Sequence, residues 1–129
     1  MIIVTLLPFY RVHEINEYFI KNSILIDAEE KIVYVDNVYS EKQLELLRQF
    51  LPNVQIKVGN WRSISGTYLS ILKDVRNFKE MIIIDSDNLL DEDFPELNKK
   101  MPHDVYTLTE HLSWNSRNNM ERSKQIGII

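Results

Sequence analysis

The stretch MIIIDSDN, residues 81–88, joins four apolar residues directly to two carboxylates that one small residue separates. A short apolar run of this kind is typical of a strand buried in a parallel sheet. In open α/β sheets the ligand-binding crevice lies outside the carboxyl ends of the strands. We therefore expect Asp85 and Asp87 to face a ligand, and carboxylate oxygens in such a place are typical ligands of a hard divalent cation.

The residues on either side of this stretch alternate between short apolar runs and longer amphipathic segments. Predicted strands lie at residues 2–7, 32–35, 54–58, 81–84 and 104–108. Predicted helices or helical turns lie between them, at residues 13–24, 40–51, 63–75 and 91–97. Strands that alternate with helical crossovers favour an α/β fold, in which a mostly parallel, doubly wound sheet is flanked by helices.

Two of the predicted helices carry start signals. Ser40 and Gln43 have the spacing of a capping box, in which each side chain satisfies a backbone group of the other residue. The third helix is predicted to begin at Ser63 or Ser65, and Gly66 near its start indicates close approach of another group to the backbone. Its apolar stripe is predicted to contain Tyr68, Leu69, Leu72 and Val75.

The composition is that of one ordinary domain, residues 1–129, with 44% hydrophobic and 26% charged residues. The absence of cysteine excludes disulfides, thiolate metal sites and thiol nucleophiles. A formal net charge of -4 argues against broad nucleic-acid binding through phosphate neutralisation. No apolar run approaches the roughly 20 residues of a transmembrane segment, and residues 1–5 lack the basic start of a signal peptide, so we expect a cytoplasmic protein.

Polar groups follow each of the first four predicted strands. They are Pro8 to Arg11, Asp36 with Asn37, Asn60 with Arg62, and Asp85 to Asp87. Because parallel strands point the same way, these groups are expected to converge at one edge of the sheet. A nucleotide lying there would find a carboxylate for base or ribose donors, an arginine for phosphate or base, and a cation bridging its diphosphate to the aspartates.

In this order, the residues resemble the nucleotide-binding half of an inverting GT-A glycosyltransferase of the large family two. The resemblance covers roughly residues 1–95 and rests on the ordered spacing of the strand ends, because an Asp-x-Asp motif alone has little specificity. It implies that residues 1–95 form the nucleotide-sugar-binding part and that residues 96–129 form a shortened acceptor-side part of the same domain.

The resemblance also implies the role of each strand-end residue. Contacts with a UDP- or GDP-sugar are expected from Pro8, Arg11, Asp36, Asn60, Arg62 and Asp85. Asp36 would meet the base, and Arg62 would flank base or phosphate. Asp87, together with Asp85, would ligate Mg²⁺ or Mn²⁺ on the sugar-nucleotide diphosphate. The activity implied is metal-dependent transfer of a sugar to an unknown acceptor, with inversion.

The acceptor side is where the chain departs from the family pattern. Residues 88–129 are all that follow Asp87, whereas the general base of such enzymes comes from well beyond the metal motif. Glu110 is the one candidate base, because it follows the last clear strand. Trp114, in the polar segment 113–119, is a candidate for stacking on a sugar. A minimal enzyme, a chain completed by a partner or by self-association, and a degenerate binding domain all remain open.

Each of these residues also has a purely structural interpretation. Asp85 to Asp87 is compatible with a polar turn that caps the next helical segment, and Asp36 with an Asx turn. Arg62 is compatible with a solvated surface charge. His103 and His111 lack the spacing of paired ligands, although some metal-dependent glycosyltransferases add a late histidine to the Asp-x-Asp site.

Two other functional classes are compatible with the same residues. A phosphatase of the haloacid-dehalogenase type uses a strand-terminal Asp-x-Asp, but at the first strand, whereas Asp85 follows the fourth. A non-catalytic nucleotide-sugar-binding or interaction module would bind donor and metal without turnover. Its sheet edge or the apolar residues 126–129 would then recruit another chain.

Overall fold

A computed structural model describes residues 1–75 and 80–100 of the chain. The predicted strand at 104–108, together with His103, Glu110, His111, Trp114 and the tail 126–129, lies outside the described residues. Contacts divide the chain into two compact units, Met1–Pro95 and Glu96–Ile129. The sheet and all the strand ends discussed below belong to the first unit.

The described elements alternate strand and helix along the chain, as the sequence predicts. The strands are β1 (Ile2–Pro8), β2 (Glu30–Asp36), β3 (Gln55–Val58) and β4 (Met81–Ile83). The α-helices are α1 (Ile20–Leu25), α2 (Glu41–Phe50), α3 (Ile64–Val75) and α4 (Phe94–Lys100). Among these helices, none has both the length and the apolar character needed to cross a bilayer.

The four strands form one sheet in the order β3-β2-β1-β4, and every pair is parallel. Pro8 at the end of β1 is in register with Asp36 at the end of β2, and Val35 is in register with Val58 at the end of β3. The predicted α/β class with a parallel sheet is therefore confirmed. Strand order reverses between β1 and β4, which is where open α/β sheets form their ligand crevice.

Helices cover both faces of the sheet. Alternate strand residues point to opposite sides, and the apolar side chains on each side pack against helices. On one face, Ile3 and Val33 pack with Ile15, Phe19 and Leu47 from the helical segments that precede and follow β2. On the other face, Val4, Ile32 and Tyr34 pack with Ile71 of α3. The crossover that contains α3 thus lies on the opposite side of the sheet from the first two.

Local signals explain where two of the helices begin. Ser40 and Gln43 form the predicted capping box at the start of α2. Ser63, rather than Ser65, lies at the start of α3, where its Oγ accepts a hydrogen bond of 3.0 Å from the backbone N–H of Gly66. A Cβ at position 66 would lie 2.5 Å from the carbonyl oxygen of Trp61, which confirms the predicted close approach to this glycine.

The predicted apolar stripe of α3 is wrong in part. Leu69 and Leu72 are 60% and 55% exposed, whereas Ile71 and Thr67 are fully or almost fully buried. Both sets have helical spacing, and the face that packs on the sheet is the one that carries the threonine. The Thr67 side chain satisfies its hydroxyl by donating to the carbonyl oxygen of Ser63 at 3.0 Å, so burial leaves no unpaired donor there.

Candidate functional site

A cleft of about 450 Å³ lies at the carboxyl edge of the sheet, where the chain leaves β1, β2 and β4 and enters α3. The structure brings to this cleft six of the residues that the sequence singles out: Pro8, Arg11, Asp36, Arg62, Asp85 and Asp87. Asn60 does not line it. Its side-chain oxygen lies 3.4 Å from the hydroxyl of Tyr39, which also donates to Asn37 at 3.1 Å.

Asp36 ties the end of β2 to the segment that leads into α3. Its Oδ1 accepts a hydrogen bond of 2.8 Å from the backbone N–H of Trp61. The indole of Trp61 then packs against the buried ring of Tyr34, with the ring centroids 6.0 Å apart. One oxygen of Asp36 thus holds the backbone, and the same side chain lines the cleft. We call Asp36, Trp61 and Arg62 the β2–β3 corner.

Two residues of the cleft wall adopt a left-handed backbone conformation. Asn37 has φ 62° and Arg62 has φ 66°. Asparagine tolerates this region well, but for arginine it costs roughly 1–3 kcal/mol and persists only where the surrounding structure enforces it. At Arg62 the enforcing contacts come from both sides, because Asp36 holds Trp61 and Ser63 caps α3. With this backbone conformation, Arg62 lies on the wall of the cleft.

Arg11, which lines the cleft, forms a bidentate ion pair with Glu14. The Nε of Arg11 contacts Oε1 of Glu14, and its Nη2 lies 2.8 Å from Oε2. Glu14 is only 6% exposed. The hydrogen bonds from Arg11 outweigh burial and hold the pKa of the Glu14 carboxyl below its usual range, and the same pairing raises the pKa of Arg11.

The same guanidinium reaches the acidic turn that follows β4. Its Nη2 lies 3.4 Å from Oδ2 of Asp87, a side chain that is 54% exposed. Ser86 is buried between the two aspartates, and its hydroxyl lies 3.4 Å from Oε1 of Glu14. Arg11 therefore bridges a buried carboxylate and an exposed one. We call Arg11, Glu14 and the turn Asp85 to Asp87 the β1–β4 corner.

A buried amide supports this corner. The Nδ2 of Asn22, on α1, donates to the carbonyl oxygen of Asn88 at 2.8 Å, and its Oδ1 accepts from the N–H of Leu90 at 2.9 Å. The residue just before the turn is bound to the sheet as well, because the N–H of Ile84 donates to the carbonyl oxygen of Val4 at 2.9 Å. Both ends of the acidic turn are thus hydrogen-bonded to the fold.

The chemistry of the β1–β4 corner fits a shared cation rather than a closed metal site. Asp85 and Asp87 offer exposed carboxylate oxygens, which are the ligands that Mg²⁺ and Mn²⁺ prefer. Within residues 1–75 and 80–100, no three side chains of the types His, Asp and Glu come together as a metal-binding group. A cation held here would complete its coordination with water and with oxygens of a bound ligand, as Mg²⁺ commonly does with phosphates.

Sequence reasoning missed three residues that shape this site. Tyr10 lines the cleft and is 74% exposed, so its ring is available for stacking on a planar group. Glu14 and Asn22 fix the β1–β4 corner from inside the fold. Tyr10 lies between two residues that the sequence did single out, which is a usable signal. Nothing local distinguishes Glu14 or Asn22 from polar residues on the solvent side of a helix.

Tyr68 adds an aromatic hydroxyl to the same cleft. Burial, and to a smaller extent the nearby charge of Asp85, raise the pKa of this phenol. It is therefore a neutral hydrogen-bond donor at physiological pH. The cleft wall thus presents two aromatic rings, two guanidinium groups and three carboxylates.

Comparison with known proteins leaves the family of this chain open. No family model matches it, no curated protein matches it, and no solved structure matches it. The functional argument therefore rests on the residues of the cleft.

Proposed function

We propose that the chain is a GT-A-like domain that binds a nucleoside diphosphate sugar in the cleft and transfers the sugar to an acceptor with inversion, using Mg²⁺ or Mn²⁺. The observation that carries the proposal is the set of residues that line one cleft. This cleft lies where the strand order reverses between β1 and β4. Arginine and carboxylate groups from separate strand ends face the same 450 Å³ space. This volume suits a small ligand with a charged and a planar part.

The two corners are suited to different parts of that ligand, one to the diphosphate and the other to the base or ribose. At the β1–β4 corner, Arg11 is suited to phosphate oxygens because its planar guanidinium presents several donors at once. At the β2–β3 corner, the second oxygen of Asp36 and the guanidinium of Arg62 are suited to the polar edge of a base or to a ribose. The exposed ring of Tyr10 is suited to stacking on the base.

Asp85 and Asp87 are the residues that would hold the cation. Bound there, a divalent ion would neutralise the charge that develops on the diphosphate as it leaves the sugar. The chain's own part is to orient the phosphates through Arg11. For the acceptor step, the proposed base is Glu110, which would take the proton of the attacking hydroxyl.

A calorimetric titration tests donor binding directly. UDP, GDP and their sugars are titrated with and without Mn²⁺ into the unaltered protein and into Asp87→Ala. We expect binding that depends on Mn²⁺ and that weakens at least about tenfold in the variant, because a charge-assisted contact is lost. Asp93→Ala, which removes an exposed carboxylate that does not line the cleft, is the matched control and should bind as the unaltered protein does.

Two results would contradict the proposal. One is the absence of measurable binding of every nucleotide, with and without Mn²⁺. The other is an equal donor affinity in Asp87→Ala and Asp93→Ala. A second candidate function, a binding module without turnover, is separated by a product assay. Donor binding without sugar transfer and without donor hydrolysis, in the unaltered protein and in Glu110→Gln alike, would favour the module.

A further inference from the structure

One guanidinium at the β1–β4 corner serves two carboxylates of different exposure. Glu14 is buried and takes both Nε and Nη2 of Arg11, which fixes the plane of the guanidinium. Asp87 is exposed and meets the same Nη2 at 3.4 Å, a distance typical of a weak ion pair. The contact with Glu14 is therefore the permanent one, and the contact with Asp87 is the one that a ligand can displace.

In this geometry a bound cation would compete with the guanidinium of Arg11 for the carboxylate of Asp87. A divalent cation on Asp87 would lie within a few ångströms of the guanidinium, where like charges repel. A diphosphate removes the conflict, because its oxygens are better acceptors for the guanidinium than a single exposed carboxylate oxygen is. Arg11 need not leave Glu14 to make that change, since its Nη1 and the second N–H of its Nη2 remain for other acceptors.

We propose that Arg11 couples cation binding to diphosphate binding, by pairing with Asp87 until a diphosphate takes over the N–H groups that face Asp87 and releases that carboxylate for the cation. This inference rests on the proposed function and adds to it a way in which diphosphate binding controls cation binding at the same site. Cation alone then binds weakly, and diphosphate and cation each raise the affinity for the other by the same factor, as linkage requires. Glu14 is a positioning residue in this arrangement, because it acts only through Arg11.

The test measures Mn²⁺ binding and diphosphate binding separately. Mn²⁺ alone, inorganic pyrophosphate alone, UDP alone and each pair are titrated into the unaltered protein and into the double variant Arg11→Gln/Glu14→Gln. The double variant removes both charges of the pair, so no buried carboxylate is left without its partner. Arg48→Gln, which removes an exposed guanidinium in the last turn of α2, away from the cleft, is the control for loss of an arginine.

Opposite changes in the two affinities are the expected result. In the double variant, Mn²⁺ alone should bind about two- to fivefold more tightly, the range that an exposed ion pair is worth. Pyrophosphate and UDP should bind about tenfold more weakly, because a charge-assisted contact is lost. The factor by which UDP raises Mn²⁺ affinity should shrink, and Arg48→Gln should change none of these values.

Other results overturn the proposal. Unchanged or weaker binding of Mn²⁺ alone in a folded double variant would show that Arg11 does not restrain Asp87. If the double variant does not fold, Arg11→Lys decides, because it keeps the charge beside Glu14 but loses the planar fork. An unchanged coupling factor in Arg11→Lys overturns the proposal, and a reduced one supports it. Failure of the unaltered protein to bind any nucleotide would refute the proposed function as well, so the two failures are distinguishable.

Discussion

The β2–β3 corner and the β1–β4 corner both place carboxylates at the carboxyl edge of the sheet, but they are held in different ways. Asp36 uses one of its own oxygens to bind the backbone N–H of Trp61. The turn that contains Asp87 is instead supported by an uncharged residue, Asn22, that binds the backbone just after it. At the β1–β4 corner Arg11 thus pairs with Glu14 and Asp87, whereas at the β2–β3 corner Asp36 binds the backbone.

This difference separates structural from ligand-binding roles among residues that look alike in the sequence. A carboxylate that satisfies a backbone N–H cannot be removed without cost to the fold, whereas a carboxylate in an exposed ion pair can be removed at little cost. We therefore expect substitutions at the two corners to divide between loss of stability and loss of binding. Three measurements test that division, taken here in order of expected effect.

The largest effect is expected from Asn22→Ala. It leaves the carbonyl of Asn88 and the N–H of Leu90 without their partners, which should lower the free energy of unfolding by about 2–3 kcal/mol. Urea denaturation measures the loss. Asn16→Ala, at an exposed position of the preceding helical turn, is the control and should stay within about 0.5 kcal/mol. Equal stability of the two variants would mean that the β1–β4 corner does not depend on this amide.

The second measurement compares Asp36→Ala with Asp87→Ala by the same denaturation assay. The first should cost about 1–2 kcal/mol, because the N–H of Trp61 loses its acceptor. The second should cost less than about 0.5 kcal/mol, because it removes only an exposed ion pair. Asp36→Asn keeps an oxygen acceptor and should recover most of the loss. The comparison between the corners fails if Asp87→Ala is the more destabilising of the two.

The smallest effect is expected in the pH dependence of stability. Because the folded state lowers the pKa of Glu14, the unfolded chain binds a proton at this group more readily than the folded one. The stabilisation is therefore present above the usual carboxyl range and is lost as pH falls through the folded pKa. Glu14→Gln should reduce the loss of stability that accompanies a fall in pH from neutral through the usual carboxyl range and below it. Glu17→Gln, at an exposed position of the same turn, is the control and should leave that loss unchanged.

The succession of strands along the chain and the edge of the sheet that carries the cleft were accessible from the sequence because the strand ends are marked by short-range signals. Apolar runs end in polar residues at Asp36 and Asp85, and the strand that carries each run follows from its own composition. The capping box of Ser40 and Gln43 depends on a spacing of three residues and nothing else. The convergence of the strand ends then follows from parallel pairing alone.

The remaining features depend on contacts between distant parts of the chain. The predicted stripe of α3 is wrong in part because Leu69 and Leu72, three residues apart, fit a helical stripe as well as Thr67 and Ile71, four residues apart. Only packing on the sheet decides which pair is buried. The left-handed backbone of Arg62 results from tertiary contacts that no local propensity favours. The burial of Glu14 likewise depends on its partner and on the turn after β4.

The helical segment after β1 has a further geometric consequence. Residues Ile15–Phe19 form a π-helical turn before α1 begins. In a regular α-helix, eight residues advance by roughly 800°, so Glu14 and Asn22 would lie about 80° apart around the axis. A wider turn advances less per residue and reduces that offset. The π-helical turn therefore brings Glu14 and Asn22 closer to one face of the helical segment, the face from which they contact Ser86, Asn88 and Leu90.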